Sequence, residues 1–190
     1  MESKTDLKIF PLTKKNWKDF ENLFGTKGAC GGCWCMWWRL KRSEYNKSKG
    51  VGNKKKIKKI VNDGVVPGLL VYYDKEIIGW CSVAPREDFP VLDNSRILKR
   101  VDEQKVWSIV CFYMSPSYRK KGFTPEILKE VVKYVKKKKG KIVEGYPVEP
   151  KNSNMPSAFA WTGFASAFRK AGFEEVARRS PTRPIMRYYL

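Results

Sequence analysis

The sequence predicts an α/β or α+β domain built around a mixed β-sheet. Apolar, β-prone runs alternate with stretches whose apolar residues recur at helical spacing. The run Val106–Met114 is apolar almost throughout, which is typical of a central strand buried on both faces. The 190 residues contain no internal repeat and no long linker, so we expect one domain over 1–190.

Seven runs of β-branched, aromatic and other apolar residues predict strands, most of them bounded by proline, glycine or a polar turn. Two of these runs flank the polar turn Asp74–Glu76 and predict a hairpin. In chain order, the predicted strands cover Leu7–Phe10, Gly68–Tyr73, Ile77–Val83, Val106–Met114, Ile142–Tyr146, Phe173–Arg178 and Ile185–Leu190.

Four stretches predict helices, and glycines end most of them. The basic stretch is broken near Gly50–Gly52, and residues 86–105 form an irregular, partly helical insertion. The resulting order is β-α-α-β-β-β-α-β-α-β-β. In chain order, the first helix begins at Thr13 and ends near Gly25, and the second covers Ser43–Val61. The third carries Ile127–Val135 and ends at Gly140, and the fourth covers Ala158–Lys170.

Composition narrows the possible chemistry. The chain has no histidine, which excludes Ser-His-Asp catalysis, Cys-His catalysis and histidine-ligated metals. A general base must therefore be a carboxylate, Tyr, Cys, Lys or water. No apolar run approaches the roughly 18 residues of a membrane span, and the polar N-terminus is unlike a signal peptide. With five cysteines and no such signal, we expect free thiols and a cytoplasmic protein.

A net charge of +20 predicts an anionic partner: nucleic acid, an anionic membrane or a phosphorylated ligand. The excess of basic over acidic residues lies in three segments, 41–60, 119–141 and 169–187. The chain has no recognisable nucleic-acid motif, and its aromatic residues lie in apolar segments away from the basic runs. We therefore expect neither a membrane nor a nucleic-acid partner, with a basic nucleic-acid-binding module as an alternative.

The segment Met114–Thr124, between a buried strand and an amphipathic helix, is the most informative motif. Gly122 lets the backbone approach a ligand closely, and the first N–H groups of the helix favour an anion. Three basic side chains, Arg119, Lys120 and Lys121, add positive charge. The alternative is an ordinary strand-to-helix turn with solvated lysines. The segment is neither a P-loop nor a dinucleotide fingerprint.

This segment resembles the acyl-CoA signature of the GNAT superfamily of N-acyltransferases, Arg/Gln-x-x-Gly-x-Gly/Ala. Arg119 and Gly122 match it, and Thr124 replaces the usual Gly or Ala. The run from Phe168 to Phe173 is similar to the family's motif Tyr-x-x-x-Gly-Phe. The hairpin ending Ile78–Val83 also resembles the family's second and third strands. The matching features run from about 68 to 178 in the family's order.

The resemblance implies a mostly antiparallel mixed sheet with a splayed central parallel strand pair and helices on both faces. It implies an acyl-CoA-binding core over about 68–178 and acceptor-side loops and helices over about 11–63. Acetyl-CoA would be the co-substrate, an amine the acceptor, and neither a covalent intermediate nor a metal would be needed. The thioester carbonyl would meet a backbone N–H near the end of the fourth strand. The implied cofactor-binding residues are Phe112, Tyr113, Met114, Arg119, Lys120, Lys121, Gly122, Phe123 and Thr124.

The family's usual acid–base groups are missing at their expected positions. Ser108 stands where the family often has a glutamate, six residues before Met114, and Phe168 stands where it has a tyrosine. Substitutes must come from elsewhere, or water must serve. The candidates are Glu144 and Tyr146, two apart on one strand face, and Glu87 with Asp88 after the third strand. Each of them can equally be a solvated or salt-bridged side chain.

The segment 30–39 is the predicted acceptor loop. Three thiols within six residues, those of Cys30, Cys33 and Cys35, can suggest zinc. No histidine is present to complete the site, and Cys81 can be the fourth ligand only if the fold brings it close. We predict instead an acceptor-binding surface formed by Trp34, Cys35, Trp38 and Arg39, while the same indoles can also pack in the core. We predict that Cys111 is a buried thiol of the core and not a nucleophile.

The sequence thus predicts an N-acetyltransferase acting on an unidentified small molecule or peptide, as a monomer or homodimer. A GNAT-fold protein that binds acyl-CoA without turning it over is an alternative, because both usual proton-transfer groups are missing.

Overall fold

The computed structural model describes residues 7–150 and 160–190, whose strands form a seven-stranded sheet in the order β1-β2-β3-β4-β5-β7-β6. Neighbouring strands are antiparallel except β4 and β5, which are parallel. This arrangement confirms the predicted fold class. The strands are β1 (Leu7–Pro11), β2 (Leu69–Tyr73), β3 (Glu76–Pro85), β4 (Trp107–Met114), β5 (Ile142–Gly145), β6 (Glu174–Arg178) and β7 (Pro184–Tyr189).

Helices cover both faces of the sheet, as predicted. Because side chains alternate along β3, Trp80 packs on one face and Cys81 on the other. We call the first the α1 face and the second the α4 face, after the helices that cover them. The α1 face is covered by α1 (Trp17–Phe24) and α3 (Val51–Asn62), and the α4 face by α4 (Thr124–Lys137) and α5 (Ala165–Lys170).

Two predicted helices differ from the observed ones. The basic stretch forms α2 (Arg42–Lys47) and α3, separated at Gly50, whose φ of 76° ends helical geometry. The last helix was predicted from Ala158, but α5 begins only at Ala165. Gly163 has a φ of 82° and Phe164 is extended, so neither residue can continue a helix. Residues 158 and 159 lie outside the described residues.

The parallel pair separates along its length. Only Trp107, Ser108 and Ile109 of β4 pair with β5, which ends at Gly145. The rest of β4 continues along β3 as far as Met114. The register between β3 and β4 shifts after Ile109, which marks a β-bulge at the point where the pairing with β5 ends. The predicted splay is therefore present, and it opens toward the end of β4.

The insertion after β3 packs against side chains of β3, β4 and β7. It contains two short 3₁₀ turns, Arg86–Asp88 and Pro90–Leu92. Phe89 and Leu98 pack with Val110 in a third, smaller apolar cluster. Within residues 7–150 and 160–190, no helix has the length and apolar character to cross a membrane.

Candidate functional site

The gap beside the end of β4 is partly filled by the chain itself. The backbone N–H of Phe112 donates to the carbonyl oxygen of Trp161, with 2.6 Å between nitrogen and oxygen. The Phe112 ring packs on the α4 face, whereas the Tyr113 ring packs on the α1 face. Trp161 was absent from the predicted site, because the sequence pattern placed it inside a helix.

The segment Arg119–Thr124, which the family resemblance predicts to bind the pyrophosphate of acyl-CoA and which we call the cradle, lies shortly after the end of β4. Lys120 and Gly122 have left-handed backbones, with φ of 60° and 72°. Turns of this kind direct neighbouring N–H groups to one side and form concavities that bind anions. The turn leads into the first residue of α4, Thr124, where the helix dipole also favours negative charge. Together these features give the segment the shape and charge of an anion site.

Two side chains anchor this cradle to the sheet. The Phe123 ring is buried and lies edge-on to Tyr73, with 5.1 Å between centroids, so only its backbone can face a ligand. The guanidinium Nε of Arg119 donates to the carbonyl oxygen of Met114 at 2.9 Å. The basic side chains of Lys120 and Lys121 are exposed. The nine predicted cofactor-binding residues thus line one continuous stretch from the end of β4 to the start of α4.

The predicted acceptor residues divide into core and surface. Trp34 and Cys35 are buried in the α1-face core, where the Trp34 ring stacks on Phe24 with 5.6 Å between centroids. Trp38 and Arg39 are only partly buried as whole residues. Trp38 stacks on Trp161 with 5.9 Å between centroids, so the predicted acceptor segment contacts the turn that bonds to β4.

Arg39 is held against the 86–105 insertion. Its guanidinium lies 4.5 Å above the centroid of the Phe89 ring and 3.4 Å from an Asp88 oxygen. A third contact is the Pro67 carbonyl oxygen, at 3.2 Å. Among the described residues, the Arg39 Nε and the Trp38 indole nitrogen are buried without a hydrogen-bond partner. The Trp17 indole nitrogen and the Asn53 Oδ1, elsewhere in the described chain, are in the same state.

Glu144 and Tyr146 lie in a buried polar network. Both side chains are almost inaccessible, and the Tyr146 hydroxyl is 2.6 Å from Glu144 and 2.8 Å from Ser108. Arg86 contacts both residues, at 3.1 Å from the carboxylate and 2.6 Å from the hydroxyl. A second guanidinium, that of Arg187, binds Glu144 at 2.7 Å. Sequence reasoning did not identify either arginine.

This network fixes the protonation of its tyrosine. Burial, and then the Glu144 charge, raise the pKa of Tyr146 well above its usual value. The hydroxyl therefore stays protonated at neutral pH, and it accepts a hydrogen bond from Arg86 and donates one to Glu144.

The two acidic residues after β3 lie nearer the surface. Glu87 is exposed and 3.1 Å from Arg100. Burial opposes ionisation of Glu87, but hydrogen bonds from its own backbone and from Arg100 outweigh burial and lower its pKa. Asp88 lies beside Arg39 and so adjoins the acceptor segment.

Many of the basic residues have carboxylate partners. In segment 41–60, Lys54, Lys56 and Lys59 pair with acidic residues at 2.5 to 2.7 Å. In segment 169–187, Arg169 and Arg178 both bind Glu149. The acidic partners in these pairs are already counted in the net charge of +20, so the pairs leave the excess of basic residues unexplained. No group of three or more Cys, Asp or Glu side chains suited to a metal is found among residues 7–150 and 160–190.

Comparison with known proteins assigns the chain to a family. The sequence profile of the acetyltransferase (GNAT) family matches residues 34–164. The fold is similar to PaiA N-acetyltransferase from Thermoplasma acidophilum, solved with coenzyme A, at 16% identity and a TM-score of 0.52, covering 97% of this chain and 99% of that one. It is also similar to a GNAT acetyltransferase from Streptococcus agalactiae, at 12% identity and a TM-score of 0.57, covering 99% and 98%.

A third similar structure is ribosomal-protein-alanine N-acetyltransferase from Brucella melitensis, at 14% identity and a TM-score of 0.53, covering 96% of this chain and 99% of that one. No curated protein matches the chain. The family profile spans more than half of the sequence, and the chain belongs to the GNAT family of acetyltransferases.

Proposed function

We propose that this protein transfers the acetyl group of acetyl-CoA to the amine of a small molecule or peptide. The observation that carries the proposal is the continuous stretch from the splayed end of β4, through a turn with two left-handed residues, to the start of α4. Family membership and the coenzyme A bound to the Thermoplasma neighbour support it.

In this proposal, the cradle holds the pyrophosphate of acetyl-CoA. The backbone at Lys120 and Gly122 and the start of α4 supply N–H groups and a favourable dipole. The side chains of Arg119, Lys120 and Lys121 supply positive charge, which accounts for part of the net charge of segment 119–141.

The thioester is proposed to bind beside the end of β4. The Phe112 N–H would donate to the thioester carbonyl oxygen and stabilise the negative charge that develops there. That donor is bonded to the Trp161 carbonyl oxygen, so the thioester must replace this partner. The acceptor amine then attacks the carbonyl carbon directly, its nitrogen forms the new amide bond, and the thiolate of coenzyme A leaves.

The acceptor is proposed to bind on the segment 34–39, near Trp38 and Arg39. Because Trp38 stacks on Trp161, acceptor and thioester would meet across this pair of indoles. The unpaired donors of Trp38 and Arg39 favour an acceptor that carries an acidic or other polar group.

The attacking amine must lose a proton, and Glu144, Tyr146 and Glu87 are the proposed acid–base groups. The two guanidinium groups around Glu144 leave it little access to a substrate proton. Tyr146 stays protonated and is the proposed proton donor to the leaving thiolate, and its raised pKa makes it a weaker acid than an ordinary tyrosine. Glu87 and Asp88 adjoin solvent, so water can carry a proton from the amine to them.

Binding is tested by thermal unfolding with acetyl-CoA and, as control, with an equal concentration of inorganic phosphate. At 100 times the dissociation constant, a ligand stabilises by about 2.7 kcal/mol, or roughly 5–10 °C for a chain of this size. We expect that shift with acetyl-CoA alone. Equal shifts with both would contradict a site for coenzyme A.

Turnover is tested with a panel of amines. Free coenzyme A should be quantified by chromatography, since the protein's own five cysteines react with thiol reagents. Release above the amine-free rate supports an acetyltransferase, whereas tight binding without release supports the non-catalytic alternative. Binding of labelled duplex DNA at physiological salt, with no response to acetyl-CoA, would favour the nucleic-acid alternative.

A further inference from the structure

A set of basic side chains without carboxylate partners lies on α2, α3 and the residues beside them. Segment 41–60 carries nine basic residues, and three of them pair with carboxylates. The other six are exposed and have no carboxylate partner within residues 7–150 and 160–190. We call these six the basic surface: Lys41, Arg42, Lys47, Lys49, Lys55 and Lys58. Their positive charge faces solvent without a counter-ion from the described chain.

The basic surface begins beside the predicted acceptor segment. The Arg42 guanidinium carbon lies 3.3 Å from the centroid of the Trp37 ring. Trp37 is edge-on to Trp161, with 6.3 Å between centroids, and Trp161 belongs to the turn that bonds to β4. Trp37 is also edge-on to Tyr45, and the Lys49 ammonium lies 6.0 Å from the centroid of the tyrosine ring. Two cations of the surface are therefore connected, through one ring and through two, to the turn at the proposed thioester site.

Close packing fixes the orientation of α3 relative to the acceptor segment. The Gly32 carbonyl oxygen accepts the Gly50 backbone N–H at 3.0 Å and the Asn53 side-chain amide at 3.1 Å. A Cβ atom at Gly32 would lie 2.5 Å from the Gly50 nitrogen, so a larger residue would push the two segments apart. The loop just before the acceptor segment thus holds the first turn of α3 in place.

The basic surface continues along the exposed side of α3. Lys55 and Lys58 are three residues apart and so share a helix face, while Ile57 and Val61 pack in the α1-face core. The 12 residues of α3 give it a length of about 18 Å. An extended peptide advances about 3.3 Å per residue, so roughly five or six of its residues span this helix. The surface therefore has the length of a short peptide segment.

We propose that the basic surface binds an acidic segment of the acceptor, so that the protein acetylates an amine of an acidic peptide. The inference rests on the proposed function and names a substrate class for it. The amine would lie beside Trp38 and Trp161, where acceptor and thioester are proposed to meet. Carboxylates further along the peptide would pair with Arg42 and Lys49 first, and then with the cations of α3.

The surface is less suited to two other classes of polyanion. Tyr45 is the single aromatic residue of segment 41–60 and is buried, so a single-stranded nucleic acid finds no exposed ring in this segment on which its bases can stack. Ile57 and Val61, on the apolar face of α3, are buried in the protein, so this face is not free to enter a membrane. Duplex DNA is the remaining competitor, and the experiment includes it.

Fluorescence anisotropy at physiological salt tests the surface. The probe is a peptide labelled at its C-terminus, with a free amino terminus, a glycine spacer and a run of glutamates. Its comparator has glutamines in place of the glutamates. We expect the acidic peptide to bind at least about tenfold more tightly than its comparator, because only its carboxylates can pair with the basic surface. Equal affinities for the two peptides would overturn the proposal.

Charge-reversed variants distinguish this surface from the net charge of the protein. Lys41→Glu with Lys49→Glu should weaken binding of the acidic peptide about tenfold. Lys136→Glu with Lys137→Glu, at the exposed end of α4, is the matched control with the same net charge and should bind like the parent chain. Equal losses in the two variants would overturn the proposal. Duplex DNA that binds more tightly than the acidic peptide, and loses affinity in the first variant alone, would also overturn it.

A second pair on α3 makes the test independent of the folding of one variant. Lys55→Glu with Lys58→Glu should also weaken binding of the acidic peptide, because both side chains lie on the exposed side of this helix. Thermal unfolding identifies which of the variants are folded. Unchanged affinity in a folded variant of both pairs would contradict the basic surface as the binding site.

Acetylation of the two peptides separates this inference from the proposed function. With acetyl-CoA present, mass spectrometry quantifies the acetylated peptides. We expect kcat/KM for the acidic peptide to exceed that of its comparator by at least about tenfold, mainly through KM. Equal values would overturn the inference while the proposed function stands. Binding of the acidic peptide without acetylation of either peptide, or of any amine in the panel, would overturn the proposed function and the assignment of the peptide as acceptor.

Discussion

The backbone N–H of Phe112 donates to the carbonyl oxygen of Trp161, which lies in a turn that comes after the end of β5. This bond occupies the donor that the proposed mechanism assigns to the thioester. Trp161 is in turn held by its stacking on Trp38. In the proposed mechanism, entry of the thioester would therefore displace a turn that also contacts Trp38 of the predicted acceptor segment.

Replacing Trp161 by alanine tests this link. The substitution removes an indole stacking contact of about 0.5–1.5 kcal/mol and so makes the turn easier to displace. We expect acetyl-CoA to bind up to about tenfold more tightly, as measured by calorimetry. Trp107→Ala is the control, since Trp107 packs edge-on against Tyr134 on the α4 face. Weaker binding by Trp161→Ala alone would show that the turn supports the ligand.

Gly122 provides a test of the cradle. At a φ of 72°, valine is strained and its side chain would crowd the anion site. We expect Gly122→Val to weaken acetyl-CoA binding by at least about tenfold. Gly64→Val is the matched control, because Gly64 has a φ of 82° and a Cβ there would meet nothing within 4 Å. Equal affinities in the two variants would show that the cradle lies elsewhere.

Local patterns predicted most of the fold. The apolar run of β4 and the helical spacing in α4 are strong signals, and both elements form where expected. The predicted start of the last helix was wrong. The residue types in this stretch are compatible with a helix, but Gly163 and the extended Phe164 delay its first residue to Ala165. The splay came from the family resemblance, since no single residue in β4 or β5 encodes it.

The candidate site was less predictable than the fold. The cradle is contiguous in sequence, so its residues could be found together. The Glu144–Tyr146 pair was predicted from its spacing, but Arg86 and Arg187, which bind it, lie far from it in the chain. Contacts of this kind arise from strand register, and neither charge nor spacing in one sequence indicates them.

Phe168, at the position of the family's tyrosine, allows a test of that departure. Its ring is fully buried, edge-on to Phe112 with 6.2 Å between centroids. Phe168→Tyr would add a buried hydroxyl without a designed partner, at a cost of about 1–3 kcal/mol. We expect a fall in Tm of several degrees and no gain in kcat. An increase in kcat would mean that the hydroxyl reaches the leaving thiolate.

Glu144 should be more important for stability than Glu87. Removing one partner of a buried ion pair typically costs about 3–5 kcal/mol, whereas an exposed pair contributes about 0–1 kcal/mol. We therefore expect urea unfolding to show a large loss for Glu144→Gln and a small one for the matched Glu87→Gln. If Glu144→Gln keeps its stability but loses kcat, with a shifted pH profile, Glu144 acts in proton transfer.

We expect the stability of the protein to depend on pH through the Cys35 thiol. Hydrogen bonds from the Cys111 thiol first, and from Ser82 and Trp80, outweigh burial and lower its pKa. Its pKa is about 7 in the folded protein and near 9.0 ordinarily, so the folded state binds the proton less tightly than the unfolded state. A group with a depressed folded pKa contributes stability that is present above the unfolded value and lost as pH falls through the folded value. The raised pKa values of Cys81 and Cys111 make contributions that stay constant below the ordinary cysteine value.

Between about pH 6 and about pH 8, the free energy of unfolding of the parent chain should therefore rise by about 1 kcal/mol relative to Cys35→Ser. Urea unfolding under reducing conditions at the two pH values measures this difference. Cys30→Ser should parallel the parent, because its sulfur is exposed. Parallel curves for the parent and Cys35→Ser would contradict a thiolate stabilised by Cys111 and Trp80, since the folded and unfolded proteins would then bind the Cys35 proton equally.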